Sequence, residues 1–599
     1  MQNSLPKREE VPENLTWNLG DIYKDESECT ADSAKAVKLA GDLAEKAGHV
    51  CESAESLLTT MKLYEETVRI LYRTLNYANM LADVDTANQN HQALLGKMSS
   101  AEVSVSEKLS FLEPEILAAG KEKIEKFYEK LPDLKYYKVT LDEMLRLADH
   151  TLTPELEKVL ALAGDMAQTP YNSFNMLADA DLKFPSIKDE EGNEVKITNG
   201  RFVPMEMSHD RRVRKEAFEK YYNTYASFSN TWAALYYGQV KQQMFYSKMR
   251  KYPSNFEAAV NNVNVSPEVC RNLIASVHDN IDKMHRYVRL RKKMLGVDEL
   301  HMYDVYAPMI SDYTPHFTID EAKELVVKAL APLGKDYTDV LQKAFSERWV
   351  DVVENEGKRG GAYSEGVYGV HPYVLLNFNG TLDDVFTLAH EMGHSMHSYL
   401  SDHSQSFLDS NYKIFVAEVA STTNEVLLLE YLLKNAKDGS EKAYLLNHYL
   451  ESFKGTLFRQ TMFGEFEMKT NEMAEAGTPL TAEALTKTYY DLNKFYFGPD
   501  MVSDELIGNE WMRIPHFYYD FYVYQYATSF SAAVAIAHRI LDEGESAVKP
   551  YKQFLSSGCT KDPVSLLKIA GVDMTTREPV DSALKVFEEV IEEMEQIAR

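Results

Sequence analysis

Residues 381–400 read TLDDVFTLAHEMGHSMHSYL. Thr381 followed by Asp384 makes a capping-box start, and the apolar residues behind it keep a helical period, so the stretch predicts one amphipathic helix. Inside it stands His390-Glu391-Met392-Gly393-His394. Residues four apart share a helix face, so the two imidazoles can converge on one Zn²⁺ at ~2.0–2.1 Å, while Glu391, rotated by about 100°, reaches the reacting water. A mid-helix glycine costs about 1 kcal/mol relative to alanine, so Gly393 predicts a second backbone passing close by.

Before this helix, residues 357–378 read GKRGGAYSEGVYGVHPYVLLNF, where glycines and β-formers replace helical periodicity and short strands fit best. Asn379-Gly380 then marks a turn. After the helix, residues 411–433 read NYKIFVAEVASTTNEVLLLEYLL, a second helical stretch. A catalytic zinc keeps three protein ligands and one open position, so a third ligand is needed. The template with a glycine three and a histidine six residues past the second histidine fails, because those positions hold His397 and Leu400. His397 lies two turns beyond His390, ~10.5 Å along the axis, which suits packing or support better than ligation. Glu418 stands in the apolar flank FVAEVA, where an unpaired carboxylate is costly to bury, and is the expected third ligand. Glu425, seven residues on and on the same face, can orient His390 or His394.

The chain has 599 residues, 45% of hydrophobic type and 26% charged, enough apolar material for a large core. Subtracting 92 acidic from 64 basic residues gives −28, which argues against nucleic acid or an anionic membrane as partner. The N-terminus lacks a secretory pattern and no window approaches ~18 apolar residues, so a cytoplasmic protein is expected. Cys29, Cys51, Cys270 and Cys559 are scattered without CxxC pairing, as free thiols in a reducing compartment would be. Residues 1–181 form a helix-rich N-terminal region, 182–203 a β-hairpin boundary around Gly192-Asn193, and 204–599 the region carrying the H-E-x-x-H motif.

The runs HEMGHSMH and FVAEVASTTNE, with LPKREEVPENLTWNLGDIY at 5–23 and GAYSEGVYGVHPYVLLNFNG before the motif helix, resemble the thimet oligopeptidase-like (M3) zinc metallopeptidases. The likeness runs from about Leu5 to the final helices. It implies a mainly α, two-lobed gluzincin with a small β-sheet beside the zinc helix and a deep central channel. It also implies one zinc per chain and internal cleavage of short oligopeptides, folded proteins being excluded.

Residues 510–534, EWMRIPHFYYDFYVYQYATSFSAAV, are dense in tyrosine. A helix opening at Pro515 would put His516, Tyr519, Tyr522 and Tyr526 within about 120° of arc. On bare spacing such a stripe reads as half-buried packing. The resemblance implies more: the family's Tyr-Asp-x-x-Tyr-Tyr-x-Tyr segment matches Tyr519, Asp520, Tyr524 and Tyr526, with Val523 replacing the first tyrosine of the central pair. Tyr526 is then expected to stabilise the oxyanion, and His516 and Tyr519 to support it or touch substrate. Gly361, Ala362 and Tyr363, with His371 to Asn377, are candidate strand segments for pairing with an extended peptide. Two other functions stay open on sequence: an oligopeptide-binding protein with a vestigial metal site, and a zinc exopeptidase. Oligomeric state is left open.

Overall fold

A computed structural model describes residues 5–310 and 313–598. Among the described residues the chain is mainly helical with three small sheets, and it divides into two compact units that do not follow chain order. The first comprises Met1–Thr151, Pro315–Leu428 and Ile536–Gly571; the second comprises Leu152–Thr314, Leu429–Ala535 and Val572–Arg599.

In the first unit the helices Glu26–Ala44, Ala54–Asp83 and Gln89–Leu109 pack on one another through Cys29, Ala36, Ala40, Leu71, Leu75, Ala78 and Met98, residues recurring every three or four positions. Tyr373 and Leu375 of a three-stranded sheet close the same core. In that sheet the strand Tyr373–Leu375 is central, parallel to Val350–Asp351 on one side and antiparallel to Tyr363–Glu365 on the other. All three residues of the central strand are buried, which accounts for the unbroken apolar run YVLL. The outer side of Val350–Asp351 is covered by the N-terminal segment, through Asn18 N to Arg348 O (2.8 Å) and Val352 N to Leu15 O (2.9 Å). Asp351, fully buried, ties that cover down by pairing with Arg8 (2.5 Å) and Lys358 (2.8 Å). The strand Tyr363–Glu365 is therefore the edge of the sheet. His371 to Asn377, expected as a second edge for substrate, instead lies around the central strand, with pairing on both sides.

The hairpin expected at 182–203 is present: Ser186–Lys188 pairs antiparallel with Glu194–Lys196 around Gly192, whose φ of +87° suits the turn. It belongs to the second unit, together with the helices before and after it. Beside it Phe184, Phe202, Tyr221, Tyr222 and Tyr225 form a buried aromatic cluster, with Phe202 and Tyr221 stacked at 3.8 Å.

Candidate metal centre

The motif helix spans Leu382–Ser404 and starts as its sequence predicts, Thr381 accepting from the Asp384 amide while the Asp384 carboxylate reaches back to Thr381 N (2.9 Å). A second helix, Ile414–Lys434, crosses it at Gly393. A Cβ on Gly393 would meet Ser421 Cα at 2.6 Å and Ala420 O at 2.7 Å, so only glycine lets the two backbones meet. The contact is locked by Asn424, which donates to Ala389 O (3.1 Å) and accepts from the Tyr337 hydroxyl (3.1 Å). Ser395 Oγ, on the motif helix, lies 2.8 Å from Ser364 Oγ of the edge strand.

This crossing brings His390, His394 and Glu418 together. Their donor atoms lie within 4.8 Å of one another, in the one such group found among the described residues. Glu418 Oε2 is 3.4 Å from His390 Nε2 and 3.5 Å from His394 Nε2. For donors ~2.0–2.1 Å from a tetrahedral ion the mutual separation is about 3.4 Å, so two imidazoles and one carboxylate fit a zinc ion. His390 Nδ1 is hydrogen-bonded to Glu425, which fixes the ring and leaves Nε2 facing Glu418. Ser421 Oγ donates to Glu418 Oε2 (2.9 Å).

The charges around the group are of a kind that suits a cation. Burial disfavours a charged His390, but the hydrogen bond and charge of Glu425, with Glu391 and Glu418, outweigh it and raise the imidazole to about 9. Burial likewise works against an ionised Glu418, yet His394, His390 and Ser421 hold it down to about 2. Glu391 is 7% exposed, and burial lifts its carboxyl above the usual range against the pull of His390 and His394. Burial thus makes the Glu391 carboxylate a stronger proton acceptor than an exposed one.

His397 has no part in the cluster. It is buried, stacked on Tyr412 (3.6 Å between centroids, 4° between planes) and packed near Phe554. Burial, then the nearby His394, lowers it to about 3. With an unfolded value of about 6.5, the unfolded chain gains a proton over a window in which the folded chain does not, so stability falls as pH drops from about 6.5 towards 3. Between pH 7 and pH 5 this one ring is expected to cost about 2 kcal/mol. His397→Phe keeps an aromatic ring without the titration. Urea unfolding at both pH values checks this: the variant's loss of stability between them should be smaller by that amount, and an equal loss in both proteins would remove His397 as the source.

Gly361 and Ala362 precede the edge strand, and Gly361 O accepts from Asn377 Nδ2 (2.8 Å). Tyr363 begins the strand, and its hydroxyl donates to Asp83 (2.9 Å), so its side chain is committed to the helix layer. The backbone along the open side of the strand is what remains for a ligand.

The aromatic segment lies in the second unit and does not form the expected helix. Pro515–Tyr518 makes a single 3₁₀ turn, Asp520 and Phe521 both take left-handed φ values (57° and 58°), and helix Tyr524–Glu543 begins only afterwards. The reversal is held by Glu467, buried in the core, which accepts from Phe521 N (3.2 Å). The rings nevertheless gather: His516 lies 5.4 Å from Tyr519, 6.1 Å from Tyr522 and 6.2 Å from Tyr526. Burial, with Arg459 nearby, lowers the His516 imidazole and so favours the neutral ring, which has one N–H to donate. Tyr171, which no pattern singled out, places its hydroxyl 3.0 Å from that of Tyr519.

An H-E-x-x-H helix completed by a glutamate from the next long helix defines the gluzincin class of metallopeptidases. The profile of Peptidase family M3 matches residues 204–586 and that of Oligopeptidase F matches 115–184. The chain belongs to peptidase family M3, as the resemblance in its motifs implied. It is 45% identical over 595 residues to "Oligopeptidase PepF" of Bacillus subtilis (strain 168), covering 99% of this chain and 89% of that one. The "Crystal structure of putative peptidase from Chlamydophila abortus" superposes with a TM-score of 0.92 at 35% identity, covering 99% and 100% of the two chains. That of oligoendopeptidase-F from Enterococcus faecium gives 0.75 at 36%, covering 95% and 99%.

Proposed function

We propose that this chain is a zinc endopeptidase that hydrolyses internal bonds of short oligopeptides, with His390, His394 and Glu418 holding one Zn²⁺. The observation that carries the reading is the placement of Glu418 Oε2 at 3.4 and 3.5 Å from the two imidazole nitrogens, beside a carboxyl, Glu391, that is not one of the three donors. A purely structural zinc would take a fourth protein ligand and need no base. When bound, zinc supplies Lewis-acid polarisation of the attacking water and the scissile carbonyl. Glu391 takes the proton from the attacking water and passes it to the leaving amine. Tyr526 donates its hydroxyl hydrogen bond to the developing oxyanion, with His516 and Tyr519 beside it; this rests on the family motif and the shared ring cluster. The open edge Tyr363–Glu365, entered through Gly361 and Ala362, pairs with the peptide backbone. The free cysteines support a cytoplasmic place of work.

The test is a set of peptides of graded length, blocked at both ends, incubated with and without chelator and mapped by mass spectrometry. Internal cleavage that stops with chelator and declines for long chains is expected. Trimming of unblocked ends only would indicate an exopeptidase, and binding without products a vestigial site. In the same assay Tyr526→Phe should lower kcat about 10²–10³-fold with little change in KM; an unchanged kcat removes Tyr526 from the oxyanion.

A further inference from the structure

The short helix Thr169–Asn175 is fastened into the second unit at two points. Pro170 lies against Gly238, in the middle of helix Ser229–Met249: a Cβ on that glycine would meet Pro170 Cγ at 3.3 Å. One turn further on, the buried Phe174 packs on Tyr518 and Trp232, with ring centroids 4.6 and 5.5 Å away. Tyr518 is pinned in turn by the buried Gln239, which donates to its backbone oxygen (3.2 Å). Tyr171, between Pro170 and Phe174, is therefore held against the turn that carries Tyr518 and Tyr519. Its ring is 6.1 Å from the first and 5.6 Å from the second.

This mounting sets the Tyr171 hydroxyl 3.0 Å from that of Tyr519. Two phenols own two hydroxyl hydrogens and use one between them, so the pair keeps one O–H to donate. Among the described residues neither hydroxyl has another hydrogen-bond partner, and Tyr519 is 41% exposed, so a ligand can reach the pair. An exposed bond of this kind adds little to the fold, because water replaces it at almost no cost. A phenol that already accepts a hydrogen bond donates a stronger one, so the pair is a better donor than either ring alone. Ring contacts link it to the group assigned to the peptide: Tyr519 lies 5.4 Å from His516 and 6.3 Å from Tyr522, and Tyr522 lies 5.2 Å from Tyr526. With Tyr526 engaged on the oxyanion, the O–H of the pair is left for another carbonyl oxygen of the peptide.

Resting on the peptidase reading above, we propose that Tyr171 binds substrate together with Tyr519, the two phenols acting as one unit that donates a single O–H to a main-chain carbonyl oxygen of the oligopeptide other than the scissile one.

Labelled peptides blocked at both ends would be bound to zinc-loaded, full-length Glu391→Gln protein and followed by fluorescence anisotropy. Tyr171→Phe keeps the ring that packs beside Tyr518 and removes only the hydroxyl. It should weaken binding about three- to tenfold, as should Tyr519→Phe. Because the two act as one unit, the double variant should bind no more weakly than the weaker of the two singles. In peptides with a backbone ester in place of each amide in turn, whose carbonyl is the poorer acceptor, one position should cost affinity in the parent protein and cost less in Tyr171→Phe. Unchanged binding in Tyr171→Phe, losses that multiply in the double variant, or the same ester profile in both proteins overturns the pair. Cleavage of the all-amide peptides by protein with Glu391 intact is scored separately. Cleavage with binding indifferent to Tyr171 sinks the pair alone; binding that depends on Tyr171 without any cleavage sinks the peptidase reading and leaves the pair.

Discussion

Glu391→Gln protein should retain one zinc per chain and lose kcat for a blocked peptide by about 10³-fold or more, with KM nearly unchanged. The amide has the shape of the carboxylate, and residue 391 is not among the three clustered donors, so metal and fold have no reason to change. What disappears is the acceptor for the proton of the attacking water. Glu391 is almost fully buried between charges of both signs, with His390 and His394 pulling its proton off and Glu418 and Glu425 holding it on. No other titratable side chain on the motif helix has that placement, since His397 faces Tyr412. Metal analysis and steady-state kinetics on one preparation decide the matter: turnover near wild type with metal bound would remove Glu391 from the mechanism.

Gly393→Ala should have the largest effect on stability, and against the usual sign. In an isolated helix the change would stabilise by up to about 1 kcal/mol. Here the added methyl carbon meets backbone at 2.6–2.9 Å, on Ser421 and Ala420, and no rotamer can relieve it. Separating the two helices should cost about 3 kcal/mol or more. Ser421 also holds the Glu418 carboxylate, so the third ligand should move with it and zinc affinity fall at least tenfold. Thermal unfolding of the metal-free protein and a chelator competition measure the two effects. A variant as stable as wild type would contradict the close crossing.

These two residues also show what the sequence could and could not disclose. The motif helix, its capping box, the glutamate helix and the backbone approach at Gly393 were legible because each follows from local spacing or from the cost of an unexplained residue in a periodic stretch. Glu425 was legible for the same reason, seven residues after Glu418, although only the structure shows that it takes His390 rather than His394. The turn at 515–523 was not. Its reversal depends on Asp520 and Phe521 in left-handed conformations, held by Glu467 more than fifty residues earlier, and no local pattern announces a tertiary hydrogen bond. Periodicity still grouped the right rings, because turn and helix bring the same side chains together by different backbone paths. Likewise the apolar run 373–376 was read as a strand but not as the central one, since sheet order depends on which distant segment covers Val350–Asp351. The interleaving of the two units is long-range in the same sense.

The proposed chemistry depends on His390, His394 and Glu418 holding one metal ion. X-ray absorption at the zinc edge of protein loaded with one equivalent tests it most directly. Two imidazole nitrogens and a carboxylate oxygen are expected at ~2.0–2.2 Å with one further light atom, with loss of the carboxylate contribution in Glu418→Ala. A coordination sphere containing sulfur, or one unchanged by that substitution, would contradict it.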